Sequence, residues 1–510
     1  IARLKDEQPF LWDEYQFALR ESEAKGHFIR NSGRFPLCGR GDVNTYAVFA
    51  EVMRDAVGAT GRVGMIVPTG IATDDTTKHF FADIVNKRQL ASLFDFENRK
   101  QIFEGIHRML KFCLMTLVGR SQQCNEAEFV FFAHQTSDLL DSERRFTLSP
   151  DDLALINPNT KTAPIFRSRR DALIAKNVYQ SIPALLVEGS HGEDTWSVFY
   201  LRLVHYDDHA DLLQTERGST RLRVYEAKAM HQFDHRWSDI SGDADDVEAP
   251  STSVVDHVDP ARCIEPRYWL ERSDFDEIIR KYGYKRPWLL GYRDTTNVTN
   301  ERTAIASVIP YGPASVNMPV LGFSDPKSGV ILISAINSFI LDFFARQAVG
   351  GSHLTFGIMK QLPFPVPNRF EAAEEWSSQS LSDWIIMRAV ELSYTAWDLK
   401  HFGADLGYHG PPFKWDPQRR ELIRAELDAM FFRIYGIERD DVDYIMDTFP
   451  IVRRKDEAAH GEYRTKRLIL ERYDAIAEAA ASGTEYQTVL NPPPADPSCA
   501  HPESTRPDWA

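Results

Sequence analysis

Apolar positions recur at helical spacing in the opening segment to about residue 31, which predicts an amphipathic helix, and Gly33, Pro36, Gly39 and Gly41 then mark an irregular loop. Behind that loop Asp42 is a good N-cap, and Tyr46, Phe49, Ala50, Met53 and Val57 follow on one helical face until Gly58 and Gly61. The short apolar run 63–67, closed by Pro68 and Gly70, predicts a buried strand; 76–87 predicts a helix, and 90–96 and 108–118 predict two further strands. Helix, strand, helix, strand, strand is an α/β pattern with a sheet covered on both faces.

From residue 126 to about 365 the texture changes to short apolar runs separated by Gly, Pro, Asn and Asp, with no sustained helical period before 331–346. This predicts a less regular α+β segment, interrupted by an acidic polar loop over 238–259. The proline-rich string QLPFPVPNR (361–369) is a natural boundary. Beyond it 381–400, 417–435, 440–449 and 465–481 predict helices, with Ser382, Asp416 and Asp440 as cap-like starts. The Pro- and Ser-rich end has no periodicity and predicts disorder. These changes give four expected regions: 1–125, 126–367, 368–482 and a tail at 483–510.

Composition narrows the class. A chain of 510 residues, 43% hydrophobic, suits two to four domains at roughly 100–200 residues each. It carries no apolar stretch near the ~20 residues a spanning helix needs, and it opens on the charged string IARLKDEQPF, so a cytoplasmic protein without a membrane partner is expected. Five cysteines without a CxxC pair argue against a disulfide framework or a cysteine zinc site. The net charge of −15 does not exclude nucleic acid, because distribution matters more than the sum. Acid crowds Asp239, Asp243, Asp245, Asp246 and Glu248, while base clusters at Arg167, Arg169 and Arg170, at Arg217, Arg221 and Arg223, and at Lys281, Lys285 and Arg286. Each cluster suits either phosphates or a solvated surface.

Several strings keep a common order: GRGDVNTYAVFAEVM (39–53), GMIVPTGIATD (64–74), LFDFENRKQIFEGIHRMLKFCLMTLVG (93–119) and NPNTKTAPIFRSRRD (157–171). VYEAKAMHQFDHRW (224–237), WLLGYRDTTNVTNERTAIASVIP (288–310) and NSFILDFFARQAVGGSHLTFGIMKQLPFPVP (337–367) continue it, followed by GIERDDVDYIMDTFPIV and GEYRTKRLILERYD. Over about residues 30–475 the chain resembles the downstream half of the gamma-class N6-adenine DNA methyltransferases fused into large type IIG restriction-modification and phage-defence proteins.

The resemblance implies part of a Rossmann-like methyltransferase sheet, then a mixed α+β target-recognition domain and a helical C-terminal region. It also implies methyl transfer from S-adenosylmethionine to adenine N6 in double-stranded DNA. The family's glycine-rich cofactor loop and Asn-Pro-Pro-aromatic motif lie upstream of these strings and are absent here; Asn491-Pro492-Pro493-Pro494 is a chance match at the wrong end. The expectation is therefore a fragment that does not methylate DNA alone and whose partners include the missing half or other restriction or defence subunits. Reaching an adenine amino group requires swinging the base into a pocket whose aromatic wall replaces the lost stacking. The motif position for that wall is Phe103, with Phe96 as runner-up and a core packing role as the alternative. Asp42, Tyr46 and Pro68 match cofactor-lining positions, although capping, core packing and turn geometry explain them equally well.

Base readout and phosphate binding call for Arg, Lys, Asn and Gln. In the recognition region the candidates are Arg167, Arg169, Arg170, Lys228, Arg236, Arg293, Asn300, Arg302, Arg346, Gln347 and His353, each of which also suits a fold-supporting ion pair. A recognition subunit without catalysis is the second reading. A metal-dependent nuclease built on Asp211, Glu226 and Lys228 is a third and weaker one. His231 and His235 have the spacing of zinc ligands on one helix face but lack a third ligand, so no metal is expected.

Overall fold

A computed structural model describes residues 3–189, 196–241, 251–323 and 325–510. Asp243, Asp245, Asp246 and Glu248 of the acidic loop lie outside the described residues. The chain divides into two compact units, Ile1–Asn177 and Val178–Ala510.

In the first unit α1 (Pro9–Asn31) buries none of its side chains, and α2 (Thr45–Ala56) follows the glycine-rich loop. Asn44 rather than Asp42 occupies the N-cap position of α2, and it makes no side-chain cap bond. The buried face of α2 is Ala47, Ala50, Glu51 and Arg54, not the face carrying Phe49, which is 63% exposed. Polar partners decide this. Glu51 accepts the backbone N–H groups of Leu37 and Cys38, and the Arg54 guanidinium donates to Gln89, so both are held inside.

Next come β1 (Arg62–Pro68), α3 (Lys78–Asn86), β2 (Leu90–Glu97), β3 (Lys111–Val118), β4 (Ala127–Ala133) and β5 (Phe146–Leu148). They form one sheet in the order β1-β3-β2-β4-β5. β3 is antiparallel to both β1 and β2, so those two point the same way, and β4 lies parallel to β2. The β2/β4 pair is the one parallel pair of neighbours among the described strands, and the continuous parallel order of a Rossmann sheet is not seen. Connections explain the directions: the link from β1 to β2 carries α3 and can cross over, whereas β2 returns to β3 through a loop without an α-helix. Burial on both faces holds for β2 and β3 but fails at the edge strand β1, where Ile66 is 58% exposed. Because β4 and β5 complete this sheet, the expected boundary at residue 125 falls inside a folded unit.

The second unit mixes small sheets with helices. β6 (Phe199–Leu201), β11 (Trp288–Tyr292), β12 (Ala306–Pro310) and β13 (Val320–Gly322) form a four-stranded antiparallel sheet. Two-stranded ribbons pair β7 (Arg221–Arg223) with β10 (Trp269–Glu271) and β8 (Ser238–Ser241) with β9 (Ser251–Val254). The predicted helix 331–346 is two helices at 70°, Pro326–Ile336 and Phe339–Ala348. Ser338 caps the second, and the Asn337 amide bridges both backbone groups of Ala306, which holds the break.

The C-terminal helices Leu381–Ser393, Pro417–Ile434, Arg439–Asp447, Pro450–His460 and Arg464–Ser482 belong to the same compact unit as these sheets, so the expected boundary at 367 separates no independent body. Asp416 caps as predicted, accepting from the N–H groups of Gln418 and Arg419, whereas Ser380 replaces Ser382 and Glu438 replaces Asp440 at the other starts. The expected disordered tail is a packed strap instead. Tyr486 and Thr488 donate to the fully buried Glu426, Arg419 donates to the carbonyls of Pro492 and Pro493, and Ala495 N–H donates to Glu391. The Asn-Pro-Pro-Pro string is thus part of this strap. No described helix is long and apolar enough to cross a membrane.

Candidate functional site

The carboxyl ends of β1, β2 and β4 and the start of β3 meet at one end of the first unit's sheet, the end where open α/β sheets bind ligands. Phe96, Phe112, Val130 and Ala133 form a small core there, and Phe96 stacks on Phe112 at 5.4 Å between ring centroids. Phe103 rests edge-on against Phe112 at 5.0 Å and remains 39% exposed. Phe96 is 1% exposed, which removes the runner-up as a stacking surface.

Asn98, fully buried at the end of β2, fixes the loop that carries Phe103. Its amide nitrogen donates to the carbonyls of Phe103 and Ile106, and its amide oxygen accepts the Phe103 N–H at 3.0 Å. Ile102, Ile106, Met109 and Leu110 are exposed on the same loop, so an apolar patch surrounds the ring.

A polar pair lies beneath. Thr69 donates its hydroxyl proton to Asp95 at 2.5 Å, and Asp95 also accepts the Phe132 N–H at 3.0 Å. Burial raises the Asp95 carboxyl above its ordinary range, against the pull of both hydrogen bonds. Phe132 sits at φ 56° where the β2/β4 register shifts. Its ring is flanked by the Lys111 ammonium at 4.7 Å and the Arg167 guanidinium at 4.8 Å. Sequence reasoning missed Asp95 and Asn98. The signal was present, since Asp95 interrupts the apolar run LFDF and Asn98 follows directly.

The three expected cofactor residues do not form a cradle. Asp42 is exposed, and Pro68 stays in register with Phe112 in the β1/β3 ladder. The space a side chain would take at Gly70 is filled by the Asp74 carboxylate and the Tyr46 hydroxyl. Burial and the nearby Asp74 push the Tyr46 phenol up to about 12. Alone these residues do not fit S-adenosylmethionine.

The structure sorts the expected DNA contacts into two groups. Arg236 is 0% exposed and donates to the carbonyls of His257, Asp259, Arg262 and Thr395. Arg302 and Arg346 are buried on the shared carboxylate of Asp342, and Gln347 is buried as well. Arg236, Arg302 and Arg346 are held by internal partners from distant segments and serve the fold, whereas neither polar atom of the buried Gln347 amide has a hydrogen-bond partner among the described residues. Arg167, Arg169, Lys228, Asn300 and His353 are exposed, Arg170 is half-buried, and His353 contacts Asp294 at 3.3 Å. Lys228 and the half-buried Arg293 line a common cavity.

His231 and His235 do not share a helix face: residues 231–234 form a tight turn, His235 is held by Asp398 at 2.8 Å, and burial lowers His231 to about 3. No group of three or more His, Cys, Asp or Glu able to hold a metal ion occurs among the described residues.

No family model and no curated protein matches the sequence. Among solved structures it is similar to the type IIG restriction endonuclease BpuSI, at 12% identity and a TM-score of 0.25, over 88% of this chain and 51% of that one. It is also similar to the type IIL restriction-modification enzyme MmeI in complex with DNA, at 11% identity and a TM-score of 0.38, over 80% of this chain and 51% of that one. The chain spans about half the length of each.

Proposed function

We propose that the chain is the base-stacking and DNA-contacting part of a site-specific adenine-N6 DNA methyltransferase in a restriction-modification or phage-defence system. The observation that carries this reading is the half-exposed Phe103 ring, held by Asn98 at the carboxyl end of the sheet within an exposed apolar loop. An extruded adenine loses its neighbours in the duplex, and a fixed aromatic face restores part of that stacking without side-chain ordering cost. The resemblance carried by the ordered strings implies that this ring is the family's stacking position. The methyl donor implied by the resemblance is S-adenosylmethionine, and Asp42, Tyr46 and Pro68 supply at most one wall of its site. Arg167, Arg169, Lys228, Arg293, Asn300 and His353 remain as DNA-contact candidates.

The test is transfer of a tritiated methyl group from S-adenosylmethionine to mixed-sequence duplex DNA, with the chain expressed alone and together with its upstream coding sequence. Methylation at adenine N6 only in the combined protein is the expected result, and Phe103→Ala in that protein should lower the rate at least tenfold while duplex affinity changes less than twofold. Equal losses of rate and affinity would make Phe103 a packing residue. DNA binding without methylation in either form would favour the recognition-subunit reading.

A further inference from the structure

A cavity of about 620 Å³ lies within the second unit. Its walls come from the helical turn Tyr206–His209, the turn Ala227–Ala229, the chain leaving β11, and the loop between β12 and β13. Three cations line it: Lys228, which is exposed, and Arg267 and Arg293, which are drawn inside.

Arg293 is the informative one. One of its amino groups donates to the Met230 carbonyl, while its buried Nε has no acceptor among the described residues. Among the described residues no carboxylate opposes the desolvation of this guanidinium, which brings it down to about 10. Glu226 lies on the same wall beside Arg267 and Lys228, and its own burial raises its carboxyl above the ordinary range. The cavity therefore carries a surplus of positive charge. A desolvated guanidinium without an opposing carboxylate is costly, and an anion held in the cavity that Arg293 lines would offset that cost.

The remaining wall defines the rest of that ligand. Tyr206 and Tyr268 pack at 5.8 Å between ring centroids, and the Arg267 guanidinium lies over Tyr268 at 4.9 Å. Glu226 and Asn317 offer hydrogen-bonding groups beside these rings. A phosphate monoester carries about 1.5–2 negative charges and suits the cations, and a nucleobase suits the tyrosine faces and the polar edge. The volume falls within the roughly 300–1,000 Å³ range of small-ligand sites.

We propose that this cavity binds a nucleoside monophosphate unit, with its phosphate on Lys228, Arg267 and Arg293 and its base against Tyr206 and Tyr268. The unit comes either from a free nucleotide or from an unpaired position in a DNA strand. No residue of the first unit takes part, so the inference stands or falls separately from methyl transfer.

Isothermal titration of the chain with each of the four deoxynucleoside 5′-monophosphates, with deoxyadenosine and with inorganic phosphate tests the site. A single strand containing 2-aminopurine, followed by its fluorescence, provides the strand arm. At least one monophosphate should bind tenfold more tightly than both inorganic phosphate and deoxyadenosine, and Lys228→Gln and Arg293→Gln should each weaken it at least fivefold. Lys228 is exposed, so its variant reports on binding even where Arg293→Gln impairs folding. Strand binding that responds to Lys228→Gln, without mononucleotide binding, supports the same site with DNA as the source. Inorganic phosphate binding as tightly as every nucleotide, binding unchanged in Lys228→Gln, or no binding in either arm would overturn the proposal.

Discussion

Asp428 shows how a single buried acid couples this fold to pH. It lies on the helix Pro417–Ile434 at 5% exposure and accepts the Phe339 N–H at 2.7 Å, which closes the first turn of the neighbouring helix. Burial raises its carboxyl to about 6, with Arg302 and Arg424 pulling the other way. The folded chain holds this proton more tightly than an unfolded chain, whose aspartates titrate near 3.9. The group's contribution to stability is thus most favourable below pH ~4 and declines as pH rises through about 6. Asp428→Asn keeps an oxygen for Phe339 and removes the titration. Urea unfolding should place the variant level with the native chain at pH 4 and above it at pH 7, by at most about 3 kcal/mol. Parallel behaviour at both pH values would show that Asp428 is not the titrating group. At the same scale, sequence gave residue type without depth. Arg236 and Arg167 read alike as DNA candidates, yet four carbonyls from distant segments surround the first, and the second is exposed over the Phe132 ring.

Elements were legible where one local period decides them. The strands at 62–68, 90–97 and 111–118 and the helices at 417–434 and 464–482 lie within a few residues of their predicted positions, because their apolar runs are long and their breakers strong. Faces were less legible. The helix Thr45–Ala56 turns Phe49 outward because Glu51 and Arg54 have buried partners from loops elsewhere in the sequence. The loop after β2 depends on one side chain, Asn98, and its replacement by Ala removes the hydrogen bonds that fix Phe103 and Ile106. That change should cost about 1–3 kcal/mol of local stability. Amide hydrogen exchange should then accelerate at least tenfold over residues 101–107 while the amides of β2 and β3 keep their protection. Uniform acceleration through the sheet would instead mean that Asn98 supports the whole unit.

For the whole chain, the C-terminal strap ties the last residues to the helices before it. Glu426 is fully buried and receives Arg388, Tyr486 and Thr488, and Glu391 receives Arg419 and Ala495. Deleting residues 484–510 strips partners from both acids, so the second unit should unfold at a lower temperature by differential scanning calorimetry, while the first unit's transition stays where it was. An unchanged second transition would show that the strap adds nothing. The sequence by itself determined the order of the main helices and strands, the α/β character of the first unit, the charge balance and the ordered strings that frame the functional proposal, since all of these are encoded within a few neighbouring residues. Tertiary structure alone decided the antiparallel insertion of β3, the break at Asn337, the packing of the proline-rich tail, and which arginines face inward. It also brought Lys228, Arg267 and Arg293 onto one cavity. Each of these depends on pairing between segments far apart in the chain, and desolvation fixes a charged side chain's role only once its partners have been assembled.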